Sequence, residues 1–180
     1  MTTELRLRTF IIHVEDLPGV LNRVTSLFRR RNYNIESLAV GRTEVPGVSR
    51  MTIVMHADDD GARRIEANLY KLVNVLRVED TTWRPSVERE LALIKVRADQ
   101  ATRPHVLQVA EVFRARVVDV GADAVIFEIT GTRDKIDGLA VVLAPYGIVE
   151  LVRTGAIAML RGSVEAKGPT LQLVPQIDAA

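Results

Sequence analysis

The sequence predicts an α+β fold of two tandem ferredoxin-like units, each with the element order βαββαβ, an antiparallel sheet and both helices on one face. Three observations support this prediction. Short apolar, β-branched runs alternate with stretches of helical apolar spacing. A turn signal divides the middle of each half into the two strands of a hairpin. The same order of elements occurs twice along 180 residues, of which 47% are hydrophobic and can form a core.

The first half opens with the apolar run Leu5 to Val14, which predicts a strand. Pro18-Gly19 follows as a tight turn into a predicted helix. The apolar residues with helical spacing are Val20, Leu21, Val24, Leu27 and Phe28. Three arginines, Arg29 to Arg31, suit the negative end of this helix, and Asn32 suits the left-handed position just beyond it.

Two extended runs, Asn34 to Arg42 and Val48 to His56, are separated by the Pro-Gly turn in Glu44 to Gly47. We expect them to pair as an antiparallel hairpin. Asp58 to Asp60 supplies N-cap candidates for a second helix, and Val75 to Glu79 predicts the last strand of this unit. The apolar positions of the second helix are Ile65, Leu69, Leu72 and Val73.

The second half repeats this order after a segment that lacks periodicity and contains Pro85. Strands are predicted at Leu91 to Val96, Arg116 to Val120, Ala124 to Thr130 and Ile148 to Val152. Helices are predicted around Val106, Val109, Ala110 and Phe113 and around Ile136, Leu139, Ala140 and Leu143. In the third strand, the alternation of Val125, Phe127 and Ile129 with their neighbours predicts one buried face.

These elements assign residues 4–80 to a first domain, 81–88 to a linker and 89–162 to a second domain. Residues 163–180 contain Gly168, two prolines and three alanines and show no periodicity, so we expect a flexible tail. A unit of about 75 residues is small, and its open sheet face and edges would expose apolar surface. We therefore expect a partner subunit to cover them.

Charge and residue types argue against most other functions. The 24 Lys and Arg against 23 Asp and Glu give no net field for nucleic acid or an anionic membrane, and no apolar run has the length of a signal peptide or a membrane span. The lack of cysteine fits a reducing compartment, so we expect a cytoplasmic protein. His13, His56 and His105 lack metal-ligand spacing, and Asp58 to Asp60 fits helix capping better than a calcium loop. No nucleophile elbow, phosphate loop or dinucleotide fingerprint occurs, so the sequence offers no catalytic residue and no metal ligand.

The turn at Pro18-Gly19 is the one feature that suggests a ligand. A helix N-terminus presents unpaired amides, and glycine lets a carboxylate approach the backbone without a Cβ in the way. The carboxylate of an amino acid could dock there. The same dipeptide also starts helices for conformational reasons alone, and both interpretations stay open at this level.

Longer strings narrow the choice. Val14 to Val24, running on to Leu27-Phe28, resembles the opening of an ACT domain. Arg30 to Leu38 and Ser49 to Ile53 resemble the small regulatory subunit of acetolactate synthase, also called acetohydroxyacid synthase. The strings that resemble that subunit's C-terminal domain are Arg89 to Val96, Phe113-Arg114, Val118 to Val120, Gly147 to Glu150, Arg153 to Gly155 and Arg161-Gly162. The resemblance covers roughly residues 5 to 162.

The resemblance implies a chain that is not an enzyme by itself. It implies a regulatory subunit that activates a large catalytic subunit and confers feedback inhibition by valine, isoleucine or leucine in branched-chain amino acid biosynthesis. The large subunit would hold thiamine diphosphate, magnesium and FAD and convert two pyruvate molecules to 2-acetolactate and CO2. No cofactor is therefore expected in this chain.

The resemblance also implies a homodimer whose ACT domains pair with their sheets side by side and bind the effector between them. Carried over by motif, one wall of that site is Asp16, Leu17, Gly19, Val20 and Leu21, and the other wall is Asn34 and Ile35 of the neighbouring subunit. Asp16 stands where many family members have asparagine, and Asn32 stands where glycine is common. We expect the effector carboxylate at the helix start, its ammonium at Asp16 or at the Asn34 oxygen, and its side chain near Ile35.

A stand-alone amino-acid-responsive or metal-responsive regulator built from ACT-like domains is the alternative, because a fold alone does not fix a function. The second unit argues against this alternative. A DNA-acting regulator would also need a basic reading element, and the near-neutral sequence shows none.

Overall fold

The computed structural model describes residues 4–162 of the chain. Within that range the chain forms two compact units, one made of residues 4–87 with 158–162 and the other of Glu88–Ile157. The elements of the first unit are β1 (Arg6–Glu15), α1 (Val20–Arg30), β2 (Ile35–Arg42), β3 (Val48–Ala57), α2 (Asp59–Leu69) and β4 (Val75–Asp80). The elements that follow along the chain are β5 (Ser86–Arg97), α3 (Arg103–Val112), β6 (Arg116–Val120), β7 (Ala124–Gly131), α4 (Arg133–Leu143), a 3-10 turn (Ala144–Tyr146), β8 (Ile148–Arg153) and β9 (Ile157–Leu160). The predicted α+β class and the repeated βαββαβ order are confirmed.

The first unit is a four-stranded antiparallel sheet in the order β2-β3-β1-β4. Strand residues alternate between faces, so Phe10, Ile12 and Val14 of β1 point together toward the helices. They are at most 1% exposed and form one core with residues of α1 and α2. Strand β2 lies at the edge of this sheet, which matters for the site.

Helix α1 begins and ends where the sequence predicts. Gly19 has a φ of +82° just before the helix, a left-handed conformation that glycine adopts without a Cβ penalty. Asn32 has a φ of +57° just after it, as predicted, and the Tyr33 amide donates a hydrogen bond to the Phe28 carbonyl at 3.0 Å. The second predicted start is also confirmed, because the Asp58 carboxylate accepts a hydrogen bond from the Gly61 amide at 2.5 Å and caps α2.

The second unit has an antiparallel sheet in the order β6-β7-β5-β8. The predicted buried face of β7 is confirmed, since Val125, Phe127 and Ile129 are at most 1% exposed. They pack with apolar residues of β5, α3 and α4 into a second core. The glycine turn 121–123 connects β6 to β7 as the hairpin predicted from sequence.

The structure differs from the prediction in three places. Helix α2 ends at Leu69, so Leu72 and Val73, predicted as apolar positions of that helix, lie beyond it, and Val73 is 91% exposed. Strand β5 begins at Ser86, inside the segment 81–88 predicted as a linker, and β9 (Ile157–Leu160) was not predicted. The first residues of β5 are largely polar, and β9 has only four residues, so neither shows the periodicity on which strand prediction depends. The predicted flexible tail, 163–180, lies outside the described residues. In the described part of the chain, no helix has the length and apolar character needed to cross a membrane.

Candidate functional site

The turn between β1 and α1 is held by backbone hydrogen bonds. The Asp16 amide donates to the Gly47 carbonyl of the neighbouring hairpin turn at 2.8 Å, and the Val20 amide donates to the Leu17 carbonyl at 3.3 Å. Gly19, with its positive φ, closes the turn and precedes the helix. The sequence Asp16 to Gly19 therefore forms a fixed platform at the helix start.

The Asp16 carboxylate lies between two donors from the β2–β3 hairpin. The Ser49 hydroxyl donates to its Oδ1 at 3.0 Å, and the Arg42 Nε donates to its Oδ2 at 3.1 Å. Both donors are absent from the residues proposed on sequence. They could have been found, because Arg42 and Ser49 face each other across the predicted hairpin, next to the strand that leads into Asp16. The charge of Asp16 is thus already balanced within one chain.

The N-terminus of α1 is open. Gly19, the cap residue, has no side chain with which to cap the helix, and no acidic residue lies in the first turn of α1. A Cβ placed on Gly19 would meet no atom within 4 Å, so open space adjoins the backbone of the turn. The first amides of a helix have no acceptor inside the helix, and their partial positive charge attracts an anion. A carboxylate fits this position.

The apolar residues around the turn divide into two groups. Leu17 and Leu21 are 47% and 42% exposed, so both are accessible to a ligand. Val20 is 3% exposed and belongs to the core of the first unit. The side chain of Val20 lies on the face of α1 that packs against the sheet and is not available to a ligand, and its amide already donates to the Leu17 carbonyl.

Asn34 and Ile35 lie beyond the other end of α1. They line a surface cavity of about 370 Å³. The remaining lining residues are Thr25, Phe28, Arg29, Asn32 and Tyr33. Asn34 is exposed, whereas Ile35 is half-buried and packs against the core. An 11-residue helix is about 16 Å long, so one chain does not bring Asn34 and Ile35 to Gly19.

The histidines lie on separate elements, with His13 on β1, His56 on β3 and His105 on α3. Burial, followed by the positive charge of Arg50, lowers the pKa of His13. The His56 Nδ1 lies 3.5 Å from a carboxylate oxygen of Glu36. Among residues 4–162, no three His, Asp or Glu side chains come close enough to form a metal site.

Comparison with known proteins agrees with this geometry. Residues 10–77 match the family model of the AHAS small subunit-like ACT domain. Residues 89–162 match the family model of the small subunit of acetolactate synthase. The chain is 49% identical to an acetolactate synthase small subunit of Mycolicibacterium smegmatis over 154 residues, which is 86% of this chain and 91% of that protein.

Two further relatives come from distant organisms. The chain is 45% identical over 157 residues to an acetolactate synthase small subunit of Bacillus subtilis, covering 87% of this chain and 91% of the relative. The crystal structure of an acetolactate synthase small subunit from Thermotoga maritima superimposes with a TM-score of 0.80 at 40% sequence identity. It covers 88% of this chain and 99% of the other.

The glycine turn at the start of α1 and the β2-β3-β1-β4 sheet place the first unit in the class of ACT domains. The second unit and the extent of the matches are more specific. The chain belongs to the family of acetolactate synthase small subunits.

Proposed function

We propose that this chain is the regulatory subunit of acetolactate synthase, which binds a catalytic large subunit, raises its activity and makes it subject to feedback inhibition by a branched-chain amino acid. Family membership supports the partner, since a small subunit implies a large one. The observation that supports the sensing role is the uncapped helix start behind Gly19. A helix start of this kind can receive the carboxylate of an amino acid.

The effector site is shared between two copies of the chain. Strand β2 is an edge strand, and the Asp16–Arg42 ion pair places its last residue beside the turn before α1. If two copies pair antiparallel along β2, the first residue of one strand lies beside the last residue of the other. Asn34 and Ile35 of the second copy then approach Arg42 and the turn of the first. The second copy thus supplies Asn34 and Ile35 to the turn. Within one chain, the 11-residue helix α1 separates these two residues from that turn.

Each part of the effector has a matching group. Its carboxylate accepts hydrogen bonds from the first amides of α1, its ammonium donates to the Asn34 side-chain oxygen of the second copy, and its branched side chain packs near Ile35. We assign Asp16 a different role from the one expected from the sequence. Its carboxylate is held by Ser49 and Arg42, so it orders the turn, and its paired charge does not repel the effector carboxylate.

The chemistry belongs to the large subunit. That subunit would hold thiamine diphosphate, magnesium and FAD and convert two pyruvate molecules to 2-acetolactate and CO2. This chain binds the effector with a free energy that differs between the active and the inhibited state of the complex. A coupling of about 1–3 kcal/mol between the effector site and the active site is typical of allosteric proteins and is enough for feedback control.

Reconstitution tests the proposal. The large subunit is assayed for acetolactate formation alone, with this chain, and with this chain plus valine, isoleucine or leucine. We expect activation by the chain and inhibition of the activated complex by at least one of the three. A chain that binds one of these amino acids but neither binds nor activates the large subunit would support the stand-alone regulator instead.

A further inference from the structure

Strand β6 (Arg116–Val120) is an exposed sheet edge. Within the described part of the chain it pairs with β7 alone, and all five of its residues are exposed. Val117, Val118 and Val120 are 38%, 45% and 54% exposed. Natural edge strands are often blunted by charged side chains, proline, a bulge or a covering element, because their free amides and carbonyls recruit another strand. The residues of β6 include neither lysine nor proline, so the arrangement of its two charges and its bulge decides which strand it can accept.

A bulge in β6 places its two charges on the same face of the sheet. Arg116 pairs with Glu128 and Asp119 pairs with Ile126, and the register shifts between Val117 and Asp119. Glu128 and Ile126 are two apart on β7 and so point to one face, away from the core. The Arg116 guanidinium accordingly lies 2.9 Å from Glu128. Without the bulge, residues three apart on one strand would point to opposite faces.

We propose that β6 pairs antiparallel with β6 of a second copy of this chain, with Arg116 of each strand opposite Asp119 of the other. The register is self-complementary about a two-fold axis, so both ion pairs form together. The same register sets Val117 opposite Val118 and covers exposed apolar surface. Arg116 has donors enough for both Glu128 and the Asp119 of the second strand.

The charges favour a second copy as the occupant. A cation and an anion that share one face and lie at opposite ends of the strand are what a two-fold antiparallel pair requires, because each end then meets its opposite. A foreign strand would have to carry the same pattern itself. This inference goes beyond the proposed function, since the pairing needs neither an effector nor a catalytic subunit.

Disulfide trapping tests the contact directly, because the chain contains no cysteine. The full-length Val118→Cys variant is oxidised mildly, without amino acid or large subunit, and the disulfide-linked dimer is measured on a non-reducing gel. The proposed register brings the two introduced thiols within bonding reach across the axis. Val149→Cys on the edge strand β8 is the control, because Val149 is also exposed, at 53%. We expect the Val118→Cys variant to form the dimer rapidly. The Val149→Cys variant should form it at least about tenfold more slowly, because the proposal places no strand of a second copy beside β8.

Charge exchange then tests the register. Adding Asp119→Arg to Val118→Cys sets the new arginine opposite Arg116 of the second copy. Adding Arg116→Asp instead sets the new aspartate opposite Asp119 of the second copy. Because like charges then face each other, each variant alone should cross-link several-fold more slowly. A mixture of the two should recover the original rate, and the product should contain one chain of each kind. Equal cross-linking at Val118 and Val149, or a mixture no faster than its components, would overturn the proposal. Both readouts are independent of acetolactate formation, so they can fail while the proposed function holds.

Discussion

The Asp16 carboxylate and the Arg42 guanidinium form an ion pair at 3.1 Å that joins the turn before α1 to the last residue of the edge strand β2. The pair links residues 26 apart in sequence. It connects the carboxylate site at the helix start with the edge along which a second copy is proposed to pair. Asp16 is thereby fixed in place and electrically balanced.

Loss of the ion pair between Asp16 and Arg42 should weaken effector binding. Arg42→Gln leaves Asp16 unpaired beside the effector carboxylate, and we expect affinity for the branched-chain amino acid to fall about two- to fivefold. The effect is modest because the Arg42 side chain is 86% exposed and screened by solvent. Isothermal titration calorimetry measures the change. The double variant Asp16→Asn/Arg42→Gln should regain most of the affinity, and a double variant as weak as Arg42→Gln would contradict the charge argument.

A carboxylate built into the helix start should replace that of the effector. Gly19→Asp places its own side chain in front of the α1 amides, so inhibition by valine should be lost while activation of the large subunit is kept. Gly19→Ala is the matched control, because it has the same positive-φ strain of about 1–2 kcal/mol without the charge. Inhibition curves of the reconstituted enzyme separate the two. Valine sensitivity retained in Gly19→Asp would remove the turn from the site.

The second core depends on one large aromatic side chain. Phe127 on β7 is 0% exposed and packs among residues of β5, α3 and α4. Phe127→Ala should lower the free energy of unfolding by about 3–5 kcal/mol, through lost burial and the cavity left behind. Val141→Ala, at a position that is 71% exposed, should change it by less than about 0.5 kcal/mol. Urea denaturation followed by circular dichroism gives both values, and similar values for the two variants would contradict the assigned core.

His13 should make the fold less stable in mild acid. Burial lowers its pKa from the ordinary value of 6.5, Arg50 and Arg77 act in the same direction, and Glu79 and Glu44 oppose them. At a pH just below 6.5, His13 is therefore protonated more fully in the unfolded chain than in the folded chain. Because protons then favour the unfolded state, the free energy of unfolding falls as pH drops below 6.5. His13→Gln should flatten this slope in denaturation curves between pH 7 and pH 5. An unchanged slope would show that His13 is not its source.

Much of the fold could be predicted because its signals are local. The cap at Asp58, the left-handed Asn32 and the alternation at Phe127 each depend on neighbouring residues only. The partners of Asp16 have no local signal, since Ser49 lies 33 residues away, and only the pairing of the predicted hairpin, which sets Arg42 opposite Ser49, could have indicated them.

Burial bears on two other predictions. Val20, predicted for the effector wall, shares the buried stripe of α1 with Val24 and Phe28, so its side chain faces the core and its place in the wall stays a prediction. The sequence predicts that a partner subunit covers the open face of the first sheet. Yet Ile11 and Val54, which alternate with core residues and so point away from the helices, are 1% and 3% exposed.

The central claim, that the effector site is built by two copies, can be tested by complementation. One chain carries Gly19→Asp and the other carries Ile35→Asp, and each alone should bind no valine. In a heterodimer formed by co-refolding, one site combines both changes and the other combines neither. Calorimetric titration of the mixture should then recover roughly a quarter of the wild-type number of valine sites, at wild-type affinity. A mixture that binds no valine, although heterodimers are present, would contradict a shared site and place the effector within one chain.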